Sequence, residues 1–101
     1  MDTFSYRVFL TIAKYKSFQK AAELHHVTPP AISHLVKQLE KEFGFSLFVR
    51  NRRRVSLTTA GETLHSSIAD IVKREDALRQ LVAEVNGLVH VHSSKRDSYR
   101  V

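Results

Sequence analysis

Thr28-Pro29-Pro30-Ala31-Ile32-Ser33-His34-Leu35-Val36-Lys37-Gln38-Leu39-Glu40-Lys41-Glu42-Phe43-Gly44 reads as one amphipathic helix with both ends marked. Thr28 is a good N-cap, because its hydroxyl can take an orphan amide of the first turn. Pro29 fits the first helical position, where no amide donor is needed. Ile32, Leu35, Val36, Leu39 and Phe43 trace one apolar stripe, and Gly44 supplies a left-handed stop. The spacing predicts a helix over residues 29–43. With that stripe turned inward, Pro30, Ser33, His34 and Lys37 line an outward face near the helix start. The free amides and positive dipole of that end suit phosphate. Ser33 can bond a phosphate or base edge, Lys37 adds charge, and Ala31 can touch a thymine methyl. Taken alone, the same stripe also fits an ordinary solvated face.

Toward the N-terminus, Phe4, Val8, Phe9, Ile12 and Ala13 recur at helical spacing and predict a helix over residues 3–15, capped by Asp2 or Thr3. Ser17 can cap a short second helix, Phe18 to Leu24, in which Ala21 and Ala22 permit close approach of another helix. His25-His26-Val27 forms the turn into residue 28. Toward the C-terminus the period changes to two, with Leu47 and Val49 before a polar stretch and Val55 and Leu57 after it. This predicts a β-hairpin, or wing, with its tip near Asn51-Arg52. The tip lacks the Gly that short hairpins favour, so Asn51 is expected at a positive-φ position. Thr59-Ala60-Gly61-Glu62 fits a capping box, and no breaker follows until Asn86-Gly87, which predicts a single helix over residues 59–86. Leu88-Val89-His90-Val91 alternates like the opening of a strand, but a lone strand has no partner, so residues 88–101 are expected to form a mobile tail.

The expected fold class is mostly α: a winged helix-turn-helix of three helices plus a small β-hairpin, followed by a long linker and dimerisation helix. Residues 1–58 are expected to form the winged helix-turn-helix domain, 59–87 the linker and dimerisation helix, and 88–101 the tail. A chain of 101 residues supports one modest core. Absence of Cys excludes a disulfide scaffold, a thiolate zinc finger and a thiol nucleophile. No apolar run approaches a membrane span and the N-terminus lacks signal-peptide character, so a cytoplasmic protein with no membrane partner is expected.

The formal charge of +6 is unevenly placed: ten of the sixteen Lys and Arg residues, but four of the ten carboxylates, fall in residues 1–58. Arg50, Arg52, Arg53 and Arg54 crowd the wing, with no carboxylate from Ser46 to Gly61. On a free surface these guanidiniums repel one another, whereas a minor groove or phosphate row neutralises them. Directly after a candidate recognition helix, this favours nucleic acid over a solvated turn.

Six linked motifs then become recognisable: Ser17-Phe18 with Ala21-Ala22 and Leu24; Thr28 with Pro30-Ala31-Ile32-Ser33; Leu39-Glu40; Phe43-Gly44; Leu47-Phe48 with Arg50; and Leu57-Thr58 with Ala60-Gly61. In order and spacing, from about Phe4 to Gly87, the chain resembles the N-terminal DNA-binding domain of LysR-type transcriptional regulators. The resemblance implies a bacterial, dimeric, sequence-specific transcription factor, nucleoid-associated when bound. Its third helix would enter the major groove and its wing the minor groove, with DNA contacts from Thr28, Pro30, Ser33 and Arg53 and with position 34 reading the site. The family usually has Gln where this chain has Pro29, and often Arg where it has His34. Loss of the Gln amide removes a base-reading group and points to an unusual half-site or weaker specificity. The family also carries a C-terminal effector-binding domain, of which only Leu88 to His92 resembles the first strand, so no small-molecule effector site is expected within these residues.

Leu64, Ile68, Ile71, Leu78, Val82 and Val85 fall on alternating four-and-three spacing, broken only by Glu75. That is a narrow coiled-coil seam, expected to pair two copies of the chain; Val72 and Leu81 lie beside it. The family resemblance points the same way. Catalysis is not expected: the Gly residues at 44, 61 and 87 are isolated and make no phosphate loop, and Ser33 and His34 point in different directions with no orienting acid. His25-His26 and His90/His92 lack further ligands at helical spacing, so neither metal nor cofactor is expected. The alternative is a winged-helix module for protein or RNA interaction. Readers of single-stranded RNA need exposed aromatics, whereas the Phe residues here fall on core positions.

Overall fold

The computed structural model describes residues 2–51 and 54–92. Arg52 and Arg53, and residues 93–101 of the expected tail, lie outside them. Four helices and one hairpin follow in the order α1 (Thr3–Tyr15), α2 (Phe18–His25), α3 (Pro29–Phe43), β1 (Phe48–Asn51), β2 (Arg54–Leu57) and α4 (Thr59–His92).

Each short helix is set by its caps. The Asp2 carboxylate accepts the Ser5 amide at 3.0 Å, Ser17 Oγ accepts the Lys20 amide at 2.9 Å, and Thr28 Oγ1 accepts the Ala31 amide at 3.2 Å. At the far ends, Lys16 (φ 56°), His26 (φ 58°) and Gly44 (φ 91°) turn left-handed, closing α1, α2 and α3 in turn. α2 runs one residue past its expected end. Val8, Phe9 and Ile12 of α1, Ala21 and Ala22 of α2, and Ile32, Val36 and Leu39 of α3 meet in one core. The two alanines admit their neighbours closely, which is what lets two short helices dock at a tight turn.

The wing differs in detail from its sequence reading. Phe48, not Val49, takes the inward position; Val49 is exposed, while Leu47 is buried just before the strand. Phe48 fills the space between Phe9 and Phe18, at ring-centroid distances of 5.4 and 5.7 Å, which a valine side chain is too small to do. The antiparallel register pairs Phe48 with Leu57 and Asn51 with Arg54. Asn51 is therefore the last residue of β1 and has no positive φ.

The long helix also departs at both ends. Its cap is Thr58 rather than Thr59: Thr58 Oγ1 accepts the Gly61 amide at 3.0 Å and donates to the Ser46 carbonyl at 2.8 Å. At the other end α4 continues through Asn86-Gly87 to His92, which corrects both the stop at residue 86 and the strand-like reading of Leu88 to Val91. A strand there has no neighbour to satisfy its backbone, whereas a continuing helix satisfies its own, and that outweighs about 1 kcal/mol for an interior glycine. The molecule is accordingly long, 59 × 26 × 20 Å. Among the described residues, no helix is long and apolar enough to cross a membrane.

Candidate nucleic-acid interface

α3 presents the face that its apolar stripe leaves over. Thr28, Pro29, Pro30, His34 and Lys37 are exposed, and Ala31 and Ser33 are half-buried at the edge of the stripe. The face begins at the helix N-terminus, where partial positive charge gathers. Gln38 adds to it, its amide nitrogen 3.5 Å from the His34 Nε2 one turn earlier. The sequence reading passed over Gln38, although its i+4 spacing from His34 was a sufficient signal.

The wing carries Arg50 and Arg54, both exposed. Because side chains alternate along a strand, Arg50 shares the inward face with Phe48, and its guanidinium stacks on the Phe18 ring at 3.9 Å. This contact leaves the guanidinium edge free to donate while fixing where it sits. Arg54 on β2 and Lys16 at the end of α1 line a common shallow depression with Asn51 and Ser56.

What holds the wing to α3 was not anticipated. The Glu40 carboxylate, on the last turns of α3, accepts the amides of Leu47 at 2.7 Å and Phe48 at 3.3 Å. The Leu47 carbonyl accepts the Thr58 amide at 2.9 Å, so the base of the hairpin is held from α3 on one side and from α4 on the other.

The six expected dimerisation residues divide. Ile68 is buried and Leu64 is packed against the core, so both contribute to the protomer's own fold. The first turns of α4 lie along α1, and seam spacing there coincides with the core-facing stripe. Ile71, Leu78, Val82 and Val85 are exposed, joined by Leu81 and Leu88. Glu75, the break in the seam, is taken up by α1: Thr3 Oγ1 donates to it at 2.8 Å and Arg7 Nη2 at 2.6 Å, and Arg7 also reaches Asp76 at 2.8 Å. Those bonds from Arg7 and then Thr3 hold the Glu75 carboxyl below its ordinary value.

His25, expected in a turn, ends α2. Its Nε2 lies 2.9 Å from Thr11 Oγ1 and its ring stands edge-on to Phe4 at 5.4 Å, and burial pushes its pKa down. Among the described residues, no group of three or more His, Cys, Asp or Glu side chains converges as metal ligands do.

Residues 5–62 match the family model for bacterial regulatory helix-turn-helix proteins of the lysR family. A RuBisCO operon transcriptional regulator of Acidithiobacillus ferrooxidans is 40% identical over 82 residues, which is 81% of this chain and 26% of that protein. The HTH-type transcriptional regulator HdfR of Salmonella newport is 33% identical over 101 residues, 100% of this chain and 34% of the relative. The crystal structure of Vibrio fischeri DarR in complex with DNA superposes with a TM-score of 0.80 at 30% identity, covering 87% of this chain and 30% of DarR. The chain thus spans roughly a third or less of the length of the curated relatives it matches.

Proposed function

We propose, from the premise that this chain belongs to the lysR family of bacterial regulatory helix-turn-helix proteins, that it binds specific sites on double-stranded DNA as a homodimer and regulates transcription. Residues 1–58 act as the reading head and α4 as the linker through which two copies pair. The function is binding rather than catalysis, needs no cofactor, and belongs to the bacterial cytoplasm and its nucleoid.

The observation that carries this reading is the joining of two surfaces: the exposed start of α3 and the cationic wing, tied together through Glu40. An α-helix fits the major groove and a hairpin reaches the flanking minor groove. On this reading Ser33, His34 and Gln38 face base edges. Lys37, Arg50 and Arg54 neutralise phosphates, the Thr28 hydroxyl donates a hydrogen bond to one, Arg52 and Arg53 add positive charge in sequence, and Pro29, Pro30 and Ala31 supply apolar contact. Gln38 restores an amide to the reading face that Pro29 lacks, and a Gln amide suits the N6 and N7 of adenine. Pairing follows from the apolar side chains that α4 exposes at Ile71 and, beyond the head, from Leu78 to Leu88. Two weak half-site contacts joined in this way bind far more tightly than either alone.

The test is fluorescence anisotropy of the chain with duplexes selected by it from a random-sequence pool, against scrambled duplex and single-stranded RNA. The expected result is preference for the selected duplex, with affinity falling steeply between about 50 and 200 mM salt. Equal affinity for all three nucleic acids, or none for any, would overturn the reading.

A further inference from the structure

α4 lies along the head only as far as Asp76; residues 77–88 are all exposed. Among the described residues its last buried apolar side chain is Ile68, and the exposed part of the apolar face extends to Val85 and beyond, about 25 Å further along the helix. A swing of roughly 10° about Ile68 would displace Val85 by ~4 Å, more than the rise of about 3.4 Å per base pair. An apolar contact at Ile68 restricts such a swing poorly, because burial has no direction.

Directional bonds occur two turns further out. Glu75 occupies a seam position, yet its two carboxylate oxygens are taken from α1, Oε1 by Arg7 and Oε2 by Thr3, while Arg7 also holds Asp76. Arg79 approaches the Glu75 Oε2 from α4 itself at 3.6 Å. With side-chain exposures of 30% for Arg7 and 23% for Glu75, the central pair is partly shielded from solvent. Hydrogen bonds from two residues one turn apart on α1 to adjacent residues of α4 fix both the tilt and the axial position of one helix on the other.

We infer that Arg7 and Glu75 are positioning residues that set the separation at which the two reading heads of a dimer engage DNA, and so select the spacing between half-sites. The inference rests on the reading of α4 as the dimer interface. It also accounts for the polar break in an otherwise apolar seam: Glu75 serves the angle of departure rather than the strength of pairing.

The experiment uses the full chain and duplexes it has selected from a random-sequence pool, re-synthesised with the spacer between half-sites changed by one or two base pairs. Wild type should favour the selected spacing on the order of tenfold, and Arg7→Gln should reduce that preference to within about threefold while single half-site affinity changes less than about twofold. Glu75→Leu should lose spacing preference in the same way while sedimenting as a dimer at least as stable as wild type, since it completes the apolar seam. A merely structural role would weaken pairing and binding together instead. Both variants keeping the wild-type spacing preference would overturn the inference and leave the dimer reading standing. A wild-type chain that sediments as a monomer while bound to its selected duplex would overturn both.

Discussion

Replacing Gly61 by alanine and Gly87 by alanine makes the same chemical change in the same helix, and the structure assigns them opposite signs. A Cβ at Gly61 would lie 2.5 Å from the Leu47 carbonyl oxygen and 2.9 Å from Leu57 Cδ2. The first of these is backbone, and that carbonyl accepts the Thr58 amide that fastens the hairpin base to α4, so it cannot withdraw freely. Overpacking of this kind costs about 1–3 kcal/mol, against a gain of up to ~1 kcal/mol in helix propensity. The net expectation is a loss of about 1–2 kcal/mol and a melting temperature lower by roughly 5–15 °C. A Cβ at Gly87 meets nothing within 4 Å, so only the propensity gain remains, up to ~1 kcal/mol. Thermal melts followed by circular dichroism, run at equal protein concentration, measure both, and faster hydrogen exchange at the Thr58 amide in Gly61→Ala would locate the damage. If Gly61→Ala melts at or above wild type, the close approach of α4 to the wing base is wrong and with it the account of how the wing is held.

Leu78→Glu should shift the chain from dimer to monomer in sedimentation and lower affinity for the selected duplex by about tenfold or more, whereas Asp70→Ala leaves both unchanged. Ser33→Ala should weaken selected duplexes more than scrambled ones, while Arg54→Ala weakens both alike and reduces the slope of log affinity against log salt by about one phosphate equivalent; anisotropy titrations at several salt concentrations separate the two behaviours. Burial depresses the folded-state pKa of His25 from its ordinary 6.5, so the unfolded chain takes up that proton first. Stability should thus be full above about pH 6.5 and decline as pH falls below it, with the slope flattened in His25→Gln urea melts. The Glu75 carboxyl, held below its ordinary 4.5 by Arg7, contributes stability present above that pH and lost as pH falls below it; Glu75→Gln should show a shallower acid transition.

α1, α2 and α3 were legible in the sequence because each carries its own punctuation: Asp2, Ser17 and Thr28 cap the starts, and Gly44 ends α3. The exposed face of α3 followed by subtraction of its buried stripe. Where local signals gave way, a tertiary contact decided. Val49 satisfies the strand period as well as Phe48 does, and only the space between Phe9 and Phe18 chooses between them. Seam spacing in α4 continues unchanged from Leu64 to Val85, so nothing local marks where helix α1 stops covering it and solvent begins. The Glu40 tie is a side chain bonding backbone amides across the loop into β1, which no side-chain pattern marks, and the Arg7–Glu75 tie joins residues 68 positions apart, of which a lone charged residue on a helix gives no hint.

From residue 77 to 88, α4 is exposed on every side among the described residues, and a helical segment of that length is marginal in water when it stands alone. A protomer and its outer helix therefore need not melt together. In dilute solution the outer turns should fray before the head unfolds, and a second copy laid against Leu78, Val82 and Val85 should restore them. On the proposed pairing, order in this part of the chain would be a function of mass action: a cell that makes more of the protein would raise both the occupancy of its sites and the fraction of each molecule that is folded.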